Sequence, residues 1–318
     1  MNSKWTLLMV FLVSGFLSLG GYSRTLWGQA EELVTLPCPF SDGDHPTHPE
    51  RSIEMDIGFP TMPESVMVYE VVHPQIDEAW VSESGNRHFA MRSPVKRSEI
   101  GRYIQGENDY ELEVDPTNSS FFVESQAFLA DRFRSSGDFL PAEGCKTVAL
   151  EFLQKHDLLP GDARLRSVVD NSSGADVISV SFGRRIGEYE TWGAGARISV
   201  HIGRGGRIAM VFKAWQTLRP FREYPIMTPA EAFAELKMGK GVMYYGSKGK
   251  VKEIRLAYYC SPVRQSYVQP CYLFECTDDK GGTFIGLLPA VEAKYVSKEK
   301  TVGQGDCTMR GDCESSAK

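Results

Sequence analysis

Residues 184–219 read RRIGEYETWGAGARISVHIGRGGRIAMVFKAWQTLR. Residues 198–202 and 208–212 are runs of β-branched and aromatic side chains, and Gly203-Arg204-Gly205-Gly206 lies between them. Glycines at such a turn supply the positive φ that closes a hairpin without splaying its strands. A chain with this at its centre must build a sheet and bury one face of it. The stretch sets no nucleophile beside a base and gathers no metal ligands. It predicts a β-rich binding or regulatory module, not an enzyme.

The N-terminus points to export. Lys4 precedes an apolar run over residues 5–19, and Gly28-Gln29-Ala30 places small side chains where a signal peptidase reads. The run is shorter than the roughly 18–20 apolar residues of a comfortable membrane span. Residues 1–30 therefore read as a cleaved signal peptide, with an uncleaved anchor as the alternative. The expected location is extracytoplasmic, secreted or in the cell envelope, and membrane attachment would come only through an uncleaved N-terminus. The chain has 35 Lys and Arg against 41 Asp and Glu, a net charge of −6. Nucleic acid and anionic lipid both demand a basic face, so neither is expected as the main partner.

Seven cysteines, in an exported chain, read as disulfide candidates before metal ligands. Cys260 and Cys271 fall on two runs that can form a hairpin, and Cys307 and Cys313 flank a short glycine-containing segment. No paired Cys-x-x-Cys units occur, so no metal is expected, and no cofactor is implied.

Residues 65–72 form a strong strand pattern, followed by a weak helix near 76–84. Tyr110, Leu112 and Val114 alternate with acids, and residues 121–123 return after turn chemistry. Together residues 31–133 read as a small α+β domain, with a linker over 134–140. Pro141 then opens the best helix pattern in the chain, AEGCKTVALEFLQKH. Strand patterns follow at 165–169, 177–182, 198–202 and 208–212. Thr228-Pro229-Ala230-Glu231 is a capping box with proline at the first helical position. Further strands follow at 251–259, 271–276 and 284–288. Helix-then-strands thus occurs twice, over 141–220 and 226–293. Residues 294–318 are polar and expected to be disordered.

The segment FGRRIGEYETWGAGARISVHIGRGGRIAMVFKAW resembles the core of PepSY-like extracytoplasmic domains, particularly those in the YycH/YycI group of bacterial regulatory proteins. The likeness lies in Ile186-Gly187, Trp192-Gly193-Ala194-Gly195, the GRGGRI hairpin, Trp215 and the helix YPIMTPAEAFAEL. The runs IRLAYYCSPVRQSYVQPCYLFEC and FIGLLPAVEA resemble the closing strands. It covers roughly residues 141–293, and residues 57–127 only faintly. Glu190-Thr191 departs from the pattern, which has a proline there. The resemblance implies an α+β fold of tandem PepSY-like units, antiparallel sheets each covered by a helix. It also implies non-catalytic work on an extracytoplasmic or membrane protein partner of the sensor-kinase or peptidase type.

Several constellations have bland readings. Asp42, Asp44, His45 and His48 hold metal-type donors on a segment with no scaffold, so a solvated loop is preferred. Gly193-Ala194-Gly195 lacks the third glycine and following helix of a dinucleotide loop, since Ile198 stands at that position. Cys145 has no activating neighbour in sequence and reads as structural. Arg310-Gly311-Asp312 reads as a chance tripeptide. Tyr189, Trp192 and Trp215 are the candidate partner-binding residues, because aromatics carry large contact energies at interfaces. Core packing competes most strongly for Trp215. Two other function classes stay open. One is a small-ligand binder with an aromatic cleft between two sheets; the other is a hydrolase assembled from dispersed carboxylates such as Asp170, Glu188 and Glu190.

Overall fold

Strands take 48% of the residues and helices 19%, so there is too little helix to roof a sheet in every repeat. A computed structural model describes residues 33–41, 51–131, 137–171 and 176–301. The strands begin with β1 (Leu36–Ser41), β2 (Ser52–Met55) and β3 (Ser65–Val72), followed by helix α1 (Glu78–Phe89). β4 (Lys96–Arg97), β5 (Tyr103–Glu107), β6 (Tyr110–Asp115) and β7 (Ser120–Ser125) lead into α2 (Gln126–Asp131) and α3 (Ala142–Lys155). Next come β8 (Ala163–Asp170), β9 (Ile178–Ile186), β10 (Tyr189–Trp192), β11 (Ala196–Ile202), β12 (Ile208–Trp215) and β13 (Thr217–Pro225). After α4 (Pro229–Lys237) the chain makes β14 (Val242–Tyr244), β15 (Lys248–Tyr259), β16 (Tyr267–Thr277), β17 (Thr283–Pro289) and β18 (Val296–Thr301).

Sixteen of these strands form one mixed sheet, ordered β13-β3-β16-β15-β10-β9-β11-β12-β7-β6-β5-β4, with β2, β8, β14 and β17 attached beside that path. β1 and β18 form a separate parallel pair. This corrects the expectation of tandem helix-covered antiparallel units. The reason is non-local pairing. Val123 of β7 lies opposite Val211 of β12. β3 is inserted between β13 and β16. The strands of residues 52–125 therefore enter both arms of the sheet. Residues 296–301, expected in a disordered tail, pair with β1.

The helices form where local signals are consistent. Thr228 Oγ1 accepts from the Glu231 N–H at 3.3 Å, and the Glu231 carboxylate accepts from the Thr228 N–H at 2.8 Å. The Thr228 N–H and hydroxyl, both donating to that carboxylate, hold it below its usual range. In α3, Cys145, Ala149, Phe152 and Leu153 are buried, the i, i+4, i+7, i+8 spacing of one apolar stripe. α1 and α3 cover one face of the arm containing β9, β11 and β12, against Val180, Ile198, Val200 and Val211. α4 covers the corresponding face of the other arm, where Ala232 and Leu236 meet Met243, Tyr272 and Phe274. The reverse face of that second arm is capped by β1, whose Phe40 ring lies 4.9 Å from Tyr259, edge to face.

One short strand joins the two arms. β10 pairs antiparallel with β9 and parallel with β15, with Thr191 opposite Tyr258 and Trp192 opposite Tyr259. Beyond it the Cys260 N–H donates to Trp192 O at 2.8 Å, and the Gly195 N–H donates to Cys260 O at 3.0 Å. This close approach explains the glycines in Trp192-Gly193-Ala194-Gly195. Gly193 has a φ of +96°, and a Cβ on Gly195 would stand 2.2 Å from Ser261 O. Gly195→Ala should lower stability by about 2–3 kcal/mol through this overlap. Gly187→Ala, at a φ of +60° with nothing within 4 Å of the added carbon, should cost only about 1 kcal/mol. Urea titration of both variants checks this, and equal costs would refute the role of the close approach.

Candidate functional site

β12 runs in one arm of the sheet and its direct continuation β13 runs in the other, with Gln216 between them. Where the strands part, a cleft of about 330 Å³ opens, in the size range of small-ligand sites. It is walled by His73 beyond the end of β3, by Trp80 and His88 of α1, by Phe121 of β7, and by Lys213 and Trp215 of β12. A second, more open cleft of about 470 Å³ includes Tyr69, Asp162 and Arg184 and shares Trp215, Gln216 and Thr217 with the first.

The shared wall is fixed by buried polar groups. Arg184 is 7% exposed and pairs with Asp162 at 2.8 Å. Its guanidinium donates to Gln216 O at 2.6 Å and lies 4.7 Å from the Trp215 ring centre. Trp215 Nε1 donates to Asp162 Oδ1 at 3.2 Å, so the indole is held from its face and its edge. Behind it Gln265 Nε2 donates to Gln216 Oε1 at 3.3 Å, and Gln265 Oε1 accepts from the Ser261 N–H at 2.7 Å. His73 Nε2 lies 2.8 Å from Gln265 O, a bond in which it donates. The cleft wall is thereby tied to the β10–β15 junction.

Lys213 is the distinctive group. It is half-buried, and its ammonium nitrogen lies 5.8 Å from the Phe121 ring centre. It makes no ion pair or hydrogen bond among the described residues. Burial holds its amine below the ordinary lysine range, with Asp157 opposing that shift and Arg184 adding to it. His88 and His156 lock the ends of α1 and α3 together. His88 Nδ1 bonds His156 O at 2.7 Å, and His156 Nδ1 bonds His88 O at 2.6 Å.

Of the three aromatic candidates only Trp215 reaches the cleft. Tyr189 and Trp192 stand three residues apart on β10 and so face opposite sides of the sheet. Tyr189 is half-buried with its ring centre 6.1 Å from Tyr258, and Trp192 is half-buried 6.4 Å from Tyr244. The structure forms no Cys260–Cys271 bridge. Ala257, not Cys260, lies opposite Cys271, and the two free thiols project from opposite faces. Both thiols are fully buried, and burial pushes Cys260 up to about 12 and raises Cys271 too, which disfavours the thiolate. Cys145 is fully buried and raised by burial as well. Cys307, Cys313, the Asp42–Asp44–His45–His48 cluster, the Arg310-Gly311-Asp312 tripeptide and residues 1–30 lie outside the described residues.

The dispersed carboxylates are not gathered. Glu190 lies opposite Arg185 and Asp170 opposite Ile178, at the two ends of β9. Seven residues of strand separate those positions, about 23 Å at about 3.3 Å per residue. Glu190 is instead near Arg255, at 3.8 Å. The residues that sequence reasoning missed are Lys213, Arg184, His88 and Trp80. A usable signal existed for Lys213, the single charge within the apolar run IAMVFKAW. His88 and Trp80 carried none, because only the docking of α1 brings them to β12.

Among the described residues no helix is long and apolar enough to cross a membrane. No protein-family profile matches the chain, and no curated protein matches it. Among solved structures, an uncharacterized protein from Eubacterium rectale ATCC 33656 is similar at a TM-score of 0.41 and 11% identity, over 74% of this chain and 86% of that one. So distant a likeness bears on neither fold nor function.

Burial also sets a pH dependence. His73, His88 and His201 all titrate below their ordinary 6.5, with desolvation as the largest cause. The folded chain keeps these imidazoles neutral while the unfolded chain takes up protons below about 6.5. Stability should be complete above that pH and fall as the pH drops toward the folded values. The urea midpoint should be lower at pH 5.5 than at pH 7.5, and His201→Gln should shrink the difference. An unchanged midpoint would refute neutral burial.

Proposed function

We propose that this chain is a non-catalytic binding protein whose cleft beside Trp215 takes a small ligand with a flat apolar body and an acidic group. One observation carries the reading: the Lys213 ammonium, half-buried and in no ion pair among the described residues, sits in a cleft walled by aromatic rings. A buried cation needs an anion, and a bound carboxylate would supply it. Arg87, also at the cleft, is already paired with Glu83. The Trp215 indole is pre-oriented by Asp162 and Arg184, so little ordering cost falls on binding.

The test uses matched aromatic carboxylates and their amides, followed by thermal shift and by tryptophan fluorescence. A ligand selective for the folded state raises its apparent stability. Carboxylates should raise the melting temperature more than amides do. Lys213→Met should weaken the carboxylates about tenfold and leave the amides unchanged, as expected for loss of one charged hydrogen bond. Trp215→Leu should weaken both classes. Equal stabilisation by acid and amide, or none across the panel, would refute the reading.

A second reading, regulation of a sensor-kinase or peptidase type partner outside the cytoplasm, has its own observation. Among the described strands β8 pairs only with β9, and it carries exposed Leu165 and Val169. A strand with one open edge can accept a partner segment by strand addition. Both readings take residues 1–30 as an export segment. The intact mass of the native chain, from soluble and membrane fractions, tests that point: loss of residues 1–30 supports secretion, a full-length membrane species supports an anchor, and a full-length chain in the soluble cytoplasm refutes export.

A further inference from the structure

The face of the sheet opposite the cleft carries a second constellation. On β9 and β11, Val180, Phe182, Ile198 and Val200 point toward α1 and α3. The alternating residues point the other way. Register places Arg197 opposite Gly183, Ser199 opposite Ser181, and His201 opposite Ser179. Three polar rungs therefore lie in a row. The third is self-contained, because Ser179 Oγ lies 3.1 Å from His201 Nδ1 and accepts from Asn171 Nδ2 at 2.9 Å.

The first two rungs are not. Arg166 of β8 occupies the space that the absent Gly183 side chain leaves, since a Cβ there would lie 3.3 Å from the Arg166 Nε and 3.4 Å from its Cζ. Its guanidinium donates to Thr191 O. Arg197 is half-buried, 5.5 Å from the Phe212 ring centre, and its Nε is buried with no hydrogen-bond partner. Neither arginine forms an ion pair among the described residues. Glu190, the acid that acts on Arg166, stands 3.8 Å from Arg255. The Ser181 and Ser199 hydroxyls lie 3.4 Å apart beside these cations.

Two like charges side by side, one with an orphaned buried donor, cost free energy unless an anion offsets them. The available groups are donors: two guanidiniums and two hydroxyls. A ligand that satisfies them is acceptor-only, carries more than one oxygen and more than one negative charge. We propose that Arg166, Arg197, Ser181 and Ser199 form an oxyanion site for a phosphate or sulfate group on the face of the sheet opposite the cleft. Two cations and two hydroxyls match a phosphate or sulfate, which carries more acceptor oxygens than a carboxylate and can carry a second charge.

The test is calorimetric titration of the folded chain at low ionic strength with inorganic phosphate, sulfate and chloride. Phosphate or sulfate should bind saturably and chloride should not. Arg197→Gln and Arg166→Gln should each weaken binding at least tenfold, while Lys213→Met should leave it unchanged, which separates this site from the cleft. Phenyl phosphate then distinguishes the sources. Binding tighter than that of inorganic phosphate assigns the site to an organic ester, and weaker or equal binding assigns it to the free anion. Should Arg197→Gln fail to fold, Ser199→Ala carries the same comparison through loss of a hydroxyl donor. Absence of saturable binding, or wild-type affinity in the folded variants, would overturn the proposal.

Discussion

The structure depends on the backbone approach between β10 and β15. Among the described strands, β10 is the one that pairs with both arms of the sheet, through β9 and β15. That link is parallel to β15 and antiparallel to β9, so the chain must turn sharply at both ends of β10 without side chains in the way. Gly187 at one end and Gly193 at the other adopt positive φ, and Gly195 passes against Ser261 where a methyl group has no room. The glycines are therefore packing elements of a junction, not parts of a phosphate loop.

The cleft is a consequence of that junction. Two arms joined at β10 diverge elsewhere, and the chain crosses the gap at Gln216. Polar groups line the crossing because backbone atoms of two diverging strands lose their ladder partners there. Arg184, Gln216 and Gln265 replace those partners with side-chain bonds, and each replacement runs to a different part of the fold. Such a network is costly to leave incomplete, which gives the wall of the cleft its rigidity. Trp215 inherits a fixed orientation from it. Lys213, two residues earlier on the same strand, points into the same space without any such partner.

The two faces of the first arm divide the chemistry. Helices α1 and α3 bury one face, so cations there, Lys213 and Arg184, are desolvated. The reverse face carries serines, His201 and the Arg166–Arg197 pair, on strands whose other side presents Val180, Phe182, Ile198 and Val200 to the helices. Period-two alternation puts the two chemistries on alternate residues of neighbouring strands.

Local features of this chain were legible without the structure. The GRGGRI turn, with Gly205 and Gly206 at positive φ, was readable because only local sterics decide it. So was the Thr228 capping box, and so was the apolar stripe of α3. β13 was not, because Pro220 and Pro225 argue against a strand, and they are tolerated only because β13 lies at the edge of the sheet. Nor was the pairing of β7 with β12 or the insertion of β3 between β13 and β16. Nothing in a strand names its partner when many strands share one alternating pattern, so the repeated helix-then-strands order suggested two units where the tertiary pairing makes one sheet. The candidate site divides in the same way. Trp215 was visible as an aromatic of interest, but its meeting with Arg184 and Asp162, and the cleft it shares with Trp80, were decided by contacts between segments far apart in the chain. By itself the sequence determined turns, caps and strand-forming runs, which are local energies. The tertiary structure alone decided partners, faces and the cleft, because those follow from burial shared among distant segments.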